Sequence, residues 1–264
     1  MTRPTIGIIG GTGWLGSAIA RAMLKAGFVE PSQLILSSRS TTGLSGWPDV
    51  ACTADNRELA DRSDAIILSV RPDQFSTVEI GARGKLVISV MAGVPVATLA
   101  ARSGSDRIVR AMPNAAAEIG KSYTPWFASD GAKAEDKELV RQLFATCGTT
   151  DEVFREADID YLTGLSGSGP AFPALLAQAM MDHAVAKGLP RDIATRAAIA
   201  VVAGASQLLG AHYVSPEETV RAFLNYRGTT AAGLQGMIDG GFIAAVSAGL
   251  DAAEAAAVAM SRTG

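Results

Sequence analysis

Cysteine and histidine are scarce in this sequence, two of each among 264 residues. Cys52 and Cys147 are too few for a disulfide framework or a cysteine-rich metal site, and no metal is expected. His183 falls well inside a helical run and His212 stands beside a tyrosine near a helix end, so neither is read as catalytic. A basic excess is missing too. Lys and Arg number 23 against 26 Asp and Glu, a net charge of −3, with no basic stripe. That excludes a nucleic-acid binder working by phosphate neutralisation. No basic segment followed by a long apolar stretch opens the chain, so no signal peptide is read, and a soluble cytoplasmic protein is expected.

Two stretches, 161–181 and 197–216, are uncharged over a length that raises the question of a membrane span. The first is broken by Gly164, Gly167, Gly169, Pro170 and Pro173; the second carries Ser206, Gln207, His212 and Tyr213. Both read as helices buried on most faces, in an interior or a subunit interface, and no membrane partner is expected.

What is present is ample apolar material, 48% against 19% charged, enough to bury a core in one large domain or two modest ones. Five short Val/Ile/Leu-rich runs (residues 6–9, 34–36, 65–70, 86–90 and 108–110) lack alternation and are separated by helical patterns. Such strands predict a parallel sheet covered on both faces. Helices are expected over 15–26, from a capped start at Asp55-Asn56-Arg57-Glu58, and over 133–145. After about residue 156 strand-like runs disappear and Ala-rich and Leu-rich helices follow to the end. The expected division is 1–156 for the α/β part and 157–264 for the helical part.

Three loops carry chemistry. Gly10-Gly11-Thr12-Gly13-Trp14-Leu15-Gly16 follows a strand and opens a helix, the context of a dinucleotide-binding turn. Its glycines let the backbone approach a pyrophosphate that the helix N-terminus then meets. The second strand ends Ser37-Ser38-Arg39, with hydroxyls and a guanidinium where an NAD enzyme usually has a carboxylate, which predicts NADP. Asn225-Tyr226-Arg227-Gly228-Thr229-Thr230 precedes a helix expected from Ala231. The amides of Gly228, Thr229 and Thr230 would suit a carboxylate, but from these residues alone a plain N-cap at either threonine is the favoured reading.

The link Leu165-Ser166-Gly167-Ser168-Gly169-Pro170-Ala171-Phe172, with Gly228-Thr229-Thr230 and Gly240-Gly241-Phe242, resembles the pyrroline-5-carboxylate reductase family. The likeness runs the length of the chain, through the glycine turn, Asp55-Asn56, Val70-Arg71-Pro72, Ala92-Gly93 and Met112-Pro113-Asn114. It implies an N-terminal Rossmann-type doubly wound sheet followed by an all-α dimerisation domain, and a homodimer or a larger homo-oligomer built from it. It implies NADPH-dependent reduction of the cyclic C=N bond of pyrroline-5-carboxylate to L-proline. The cofactor contacts carried over are Gly10, Gly11, Thr12, Gly13, Trp14, Leu15, Ser38, Arg39, Asn56, Val70, Arg71, Pro72, Ala92 and Asn114. Ser166, Gly228, Thr229 and Thr230 would hold the substrate, and Thr230 would be the catalytic hydrogen-bonding group.

The family usually reads Ser-Pro-Gly-Gly where this chain has Asn225-Tyr226-Arg227-Gly228, and Arg227 is expected to turn outward and stiffen the loop. Two other readings share these residues: a related NADPH-dependent imine reductase with a different substrate, and a non-catalytic cofactor-binding regulator. Hydroxyacid dehydrogenases of similar layout place a lysine soon after the Gly-rich link. None occurs here between Gly169 and Lys187.

Overall fold

The computed structural model describes residues 4–38, 46–211 and 215–263. Arg39 and His212 lie outside the described residues. Two compact units are present, Met1–Ser168 with Ala252–Gly264, and Gly169–Asp251.

The strands of the first unit are β1 (Ile6–Ile9), β2 (Leu34–Ser37), β3 (Ala51–Thr53), β4 (Ala65–Leu68), β5 (Leu86–Ser89), β6 (Ile108–Ala111), β7 (Ser122–Ala128) and β8 (Gly148–Glu152). They form one sheet in the order β3-β2-β1-β4-β5-β6-β7-β8. Neighbours from β3 to β6 run parallel, as expected. Two strands that the sequence reading did not expect extend one edge, where β7 runs antiparallel to β6 and β8 parallel to β7. The segment between β6 and β7 holds only a tight turn, Ala115–Ile119, too short to carry the chain back for a parallel crossover.

Alternation along the strands divides the core. Ile6 and Ile8 face α1 (Trp14–Lys25) and α5 (Ala134–Ala145), packing with Ile19, Met23, Leu143 and Phe144. Ile9, Ile66 and Leu68 face the other way, toward α2 (Asn56–Arg62), α3 (Pro72–Phe75) and α4 (Val96–Ser103) through Leu59, Phe75 and Leu99. Each such side chain, buried almost completely, contributes roughly 1.5–3 kcal/mol. A side chain at Gly7 would come within 2.3 Å of Ser63 Oγ and 2.4 Å of Leu59, so glycine there lets α2 close on β1.

Sequence character changes near residue 156, yet the compact units divide at 168. The reason is Arg110 on β6, only 2% exposed, which donates to Glu156 and Asp160 at 2.8 Å each. Both acids lie on α6 (Glu156–Leu162), and Glu156 also accepts the amide of Val96 at 2.7 Å. Gly93 gives the last helix its seat, since a Cβ there would sit 2.5 Å from Met260.

The second unit contains α7 (Ala171–Ala186), α8 (Arg191–Ile199), α9 (Gln207–Ala211), α10 (Pro216–Tyr226), α11 (Thr229–Asp239) and part of α12 (Phe242–Thr263). A π-helical segment, Ala200–Ala205, joins α8 to α9. Arg191–Gly210 and Phe242–Ser261 are long and apolar enough to cross a membrane by length and composition, and only 11% and 6% of them is buried. Burial on most faces, expected for 161–181 and 197–216, is not met within one chain: Leu175, Ile199, Val201 and Leu208 are each at least half exposed, as is Ile243 on the last helix.

Candidate functional site

The turn after β1 is built for close approach. Gly10 adopts φ +78°, and a Cβ on it would meet the Ser69 carbonyl at 2.4 Å. A Cβ on Gly16 would meet the Gly10 carbonyl at 2.6 Å, and one on Gly11 would meet Leu36 at 2.7 Å. These three glycines allow β1, the turn and α1 to pack without gaps. Gly13 stands at the N-cap of α1, and no side chain caps that helix start. Its first amides are thus left pointing outward, the arrangement that receives a phosphate.

Beside this turn lies a cleft of about 330 Å³ over the carboxyl ends of β1, β2 and β4. The structure brings Gly10, Thr12, Gly13, Ser38, Asn56 and Val70 together there, with Arg71 at the edge. Thr12 donates its hydroxyl to Ser38 Oγ at 2.7 Å, and Ser37 donates to Asn56 Oδ1 at 2.6 Å, so the polar wall is held in one arrangement. Asn56 begins α2, which Asp55 caps by accepting from the amides of Arg57 and Glu58. Among the described residues, no Asp or Glu lines the cleft. A described lining of hydroxyls, two side-chain amides and one guanidinium fits a dinucleotide bearing a 2′-phosphate.

Other predicted contacts are placed differently. Gly11 lies beneath the turn, its amide shared between the carbonyls of Ile8 and Ser37. Leu15 packs on the core, and the Trp14 indole donates to Glu118. Pro72 begins α3. Ala92 sits half-buried in the turn after β5, and Asn114 caps the 115–119 turn while donating to the Ser166 carbonyl at 2.9 Å. Gln74 and Thr77 line the cleft and escaped the sequence reading. Their signal is weak, a single helical turn opened by Pro72.

The Ser166 segment is a π-helical continuation of α6, Thr163–Gly167, in which the Ser168 amide reaches the Thr163 carbonyl at 2.9 Å. Ser166 donates its hydroxyl to Leu162 O at 2.9 Å. The glycines here serve close packing: a Cβ on Gly164 would press on Ala253 and Glu254 at 3.1 Å, and one on Gly167 on Met112 at 3.2 Å.

In the helical unit, α11 begins at Thr229 rather than Ala231, with Gly228 as its N-cap and no side-chain cap. The reading of either threonine as the N-cap is therefore corrected; both stand inside the first turn. The Gly228 carbonyl takes the Ala232 amide at 3.1 Å, so the amides preceding it have no partner within the helix. Before them Arg227 adopts φ +64° and ψ −174°, the one positive-φ residue other than glycine among the described residues. Only glycine occupies this region without strain.

Neither thiol is poised as a nucleophile, because burial pushes both Cys52 and Cys147 above the usual cysteine range.

Comparison with known proteins agrees in both halves. A family model described as pyrroline-5-carboxylate reductase dimerisation matches residues 156–260, and one described as NADP oxidoreductase, coenzyme F420-dependent, matches residues 5–93. The chain is 34% identical over 254 residues to a pyrroline-5-carboxylate reductase of Methanosarcina acetivorans, covering 93% of each. It is similar to the structure of a pyrroline-5-carboxylate reductase from Coxiella burnetii, with TM-score 0.90, 27% identity and coverage of 98% and 99%. It is also similar to Plasmodium falciparum pyrroline carboxylate reductase with NADP bound, with TM-score 0.85, 26% identity and 99% of each chain covered.

Proposed function

The chain belongs to the pyrroline-5-carboxylate reductase family, and from that premise we propose how its residues divide the work. The reaction is NADPH-dependent reduction of the cyclic C=N bond of pyrroline-5-carboxylate, giving L-proline. The observation that carries the cofactor assignment is the cleft beside the uncapped start of α1, whose described lining holds no Asp or Glu. On this reading the outward amides of α1 hold the pyrophosphate, Asn56 the adenosine ribose, and Ser38 with Arg39 the 2′-phosphate. Ala92 and Asn114 shape the far end of the same site. NADPH, when bound, supplies the hydride.

The substrate carboxylate is assigned to the amides of Gly228, Thr229 and Thr230, with Ser166 as a second polar contact. The uncapped start of α11 supports this, since donors there face outward with no internal claimant. Thr230 hydrogen-bonds the reacting nitrogen or its carboxylate. An iminium arrives already carrying its proton, so hydride addition at carbon yields the neutral amine without a strong acid. The work of the protein is then positioning. The exposed apolar helices of residues 169–251 and the dimerisation match support a homodimer, or a larger homo-oligomer of it, in which a second copy covers them.

The test follows NADPH oxidation with pyrroline-5-carboxylate, piperideine carboxylates and cyclic imines lacking a carboxylate, in parallel. Turnover of pyrroline-5-carboxylate with little on the uncharged imines is expected. Tight NADPH binding without oxidation across the panel would instead support a regulator. A substrate other than pyrroline-5-carboxylate is the second reading, favoured by Tyr226 and Arg227 in the loop.

A further inference from the structure

The cleft does not end at its own rim. Ala54, Asn56 and Thr77 belong both to its wall and to a shallow hollow on the adjoining surface. The same hollow is lined by Arg57 and Glu79, which form an ion pair at 2.8 Å with side chains 69% and 74% exposed. An exposed pair of this kind contributes little and opens readily. A phosphate, like a carboxylate, can pair with Arg through two hydrogen bonds, and its greater negative charge favours the exchange.

The topology indicates which part of the cofactor lies nearby. In a sheet of this kind the end of the second strand reads the ribose 2′ position. β3 pairs with β2, with Ser37 opposite Thr53, and the Ser38 amide donates to the Thr53 carbonyl at 3.2 Å. The chain then enters α2 directly, so Arg57 starts from the β2–β3 side of the cleft. Its anchor is rigid. Its neighbour Asn56 is tied to Ser37, and its own amide donates to Asp55 at 2.8 Å, while the long side chain reaches outward. Arg71 follows β4, two strands from β2, and pairs with Asp73 at 3.3 Å. The other acids near Arg57 are engaged: Asp55 caps α2, and Glu58 accepts from Thr53 and Arg62.

We propose that Arg57 is a second reader of the cofactor's 2′-phosphate, and that Glu79 holds it in reserve and thereby sets how strongly NADPH is preferred to NADH. The claim rests on the assignment of this cleft to NADPH. Binding of a 2′-phosphate exchanges one partner of Arg57 for another, so each dinucleotide feels Arg57 and Glu79 differently. NADH, without the phosphate, leaves the pair closed.

The experiment is calorimetric titration of NADPH and NADH into the full-length protein and into Arg57→Ala, Glu79→Gln and the double variant. Adenosine 2′,5′-bisphosphate and 5′-AMP serve as fragment probes. Arg57→Ala should weaken NADPH and the bisphosphate about 10-fold while NADH and 5′-AMP change less than about twofold. Glu79→Gln should tighten NADPH about two- to threefold and leave NADH alone. In the double variant that gain should vanish, because Glu79 acts only through Arg57. Equal losses for both dinucleotides, no change in Arg57→Ala, or a Glu79→Gln gain that persists without Arg57 would each overturn the proposal. If the wild-type protein binds NADPH tightly while Arg57→Ala is silent, only the role of Arg57 fails. If it binds neither dinucleotide, the assignment of the cleft fails with it.

Discussion

The sheet unit and the helical unit use apolar residues in opposite ways. Along β1, β2, β4, β5 and β6 every residue is buried, and the helices above and below present apolar stripes to them. Among the described residues from 169 to 251, only Ala194 and Ala198 are buried. Hydropathy alone does not separate the two regions. The difference is that the first unit consumes its apolar surface within one chain and the second presents it. A segment of this size with two buried alanines has no core to offset its conformational entropy, so its fold depends on a surface supplied from outside. Cofactor binding and substrate turnover should therefore be separable by mutation.

The largest effect should come from charging the presented surface. Leu175→Arg or Ile243→Arg, at positions 67% and 62% exposed in one chain, would in the proposed dimer force a guanidinium into an apolar contact between copies. The cost is roughly 3 kcal/mol or more per site, and a symmetric dimer pays it twice. Sedimentation should find monomer, turnover should fall below about 1% of wild type, and NADPH affinity should stay within about threefold. An active monomer would end the contrast between the units.

Thr230→Ala comes next. Turnover should drop about 10–1000-fold with NADPH binding nearly intact. A comparable loss of NADPH affinity would mean that Thr230 serves the cofactor.

Gly10→Ala probes the other side. The added Cβ would stand 2.4 Å from a backbone carbonyl at φ +78°, a strain of about 1–3 kcal/mol in the turn itself. NADPH affinity should fall roughly 10-fold or more, the melting temperature should drop by several degrees, and the dimer should persist.

How much of this was legible in the sequence follows from the same contrast. β1, β2, β4, β5 and β6 are continuous apolar runs and read directly as buried parallel strands. β7 carries Pro125, which argues against a strand, and β8 is Gly-Thr-Thr-Asp-Glu, half-exposed at a sheet edge. β3 is three half-buried residues. Such segments are strands because a neighbour supplies their hydrogen bonds, which composition does not record. α4 was missed because its start is set by Pro95 and by an acid distant in sequence, Glu156. At the site, the glycine turn and the Ser37-Ser38 end were readable because φ > 0 and phosphate chemistry restrict residue type. The start of α11 was placed two residues late, because the true N-cap is Gly228 and a glycine cap leaves no side-chain signature.

The smallest effect, and the sharpest test of the helical unit, concerns Arg227. It holds φ +64° next to Gly228 at +83°, so two successive residues occupy backbone space that favours glycine, and only one of them is glycine. A residue with a Cβ in that region costs about 1–3 kcal/mol relative to glycine. Glycine would regain part of that and give back some in the greater entropy of its unfolded chain. Arg227→Gly should therefore raise stability by about 0.5–2 kcal/mol, a few degrees in melting temperature. The amides of Gly228, Thr229 and Thr230 are untouched by the change, so activity on pyrroline-5-carboxylate should hold or rise. The informative outcome is a split between the two readouts. If the melting temperature rises while KM for the substrate climbs 10-fold or more and NADPH affinity stays fixed, the guanidinium is a carboxylate clamp. The strain at residue 227 is then maintained for binding, and the expectation that Arg227 turns outward to stiffen the loop is wrong.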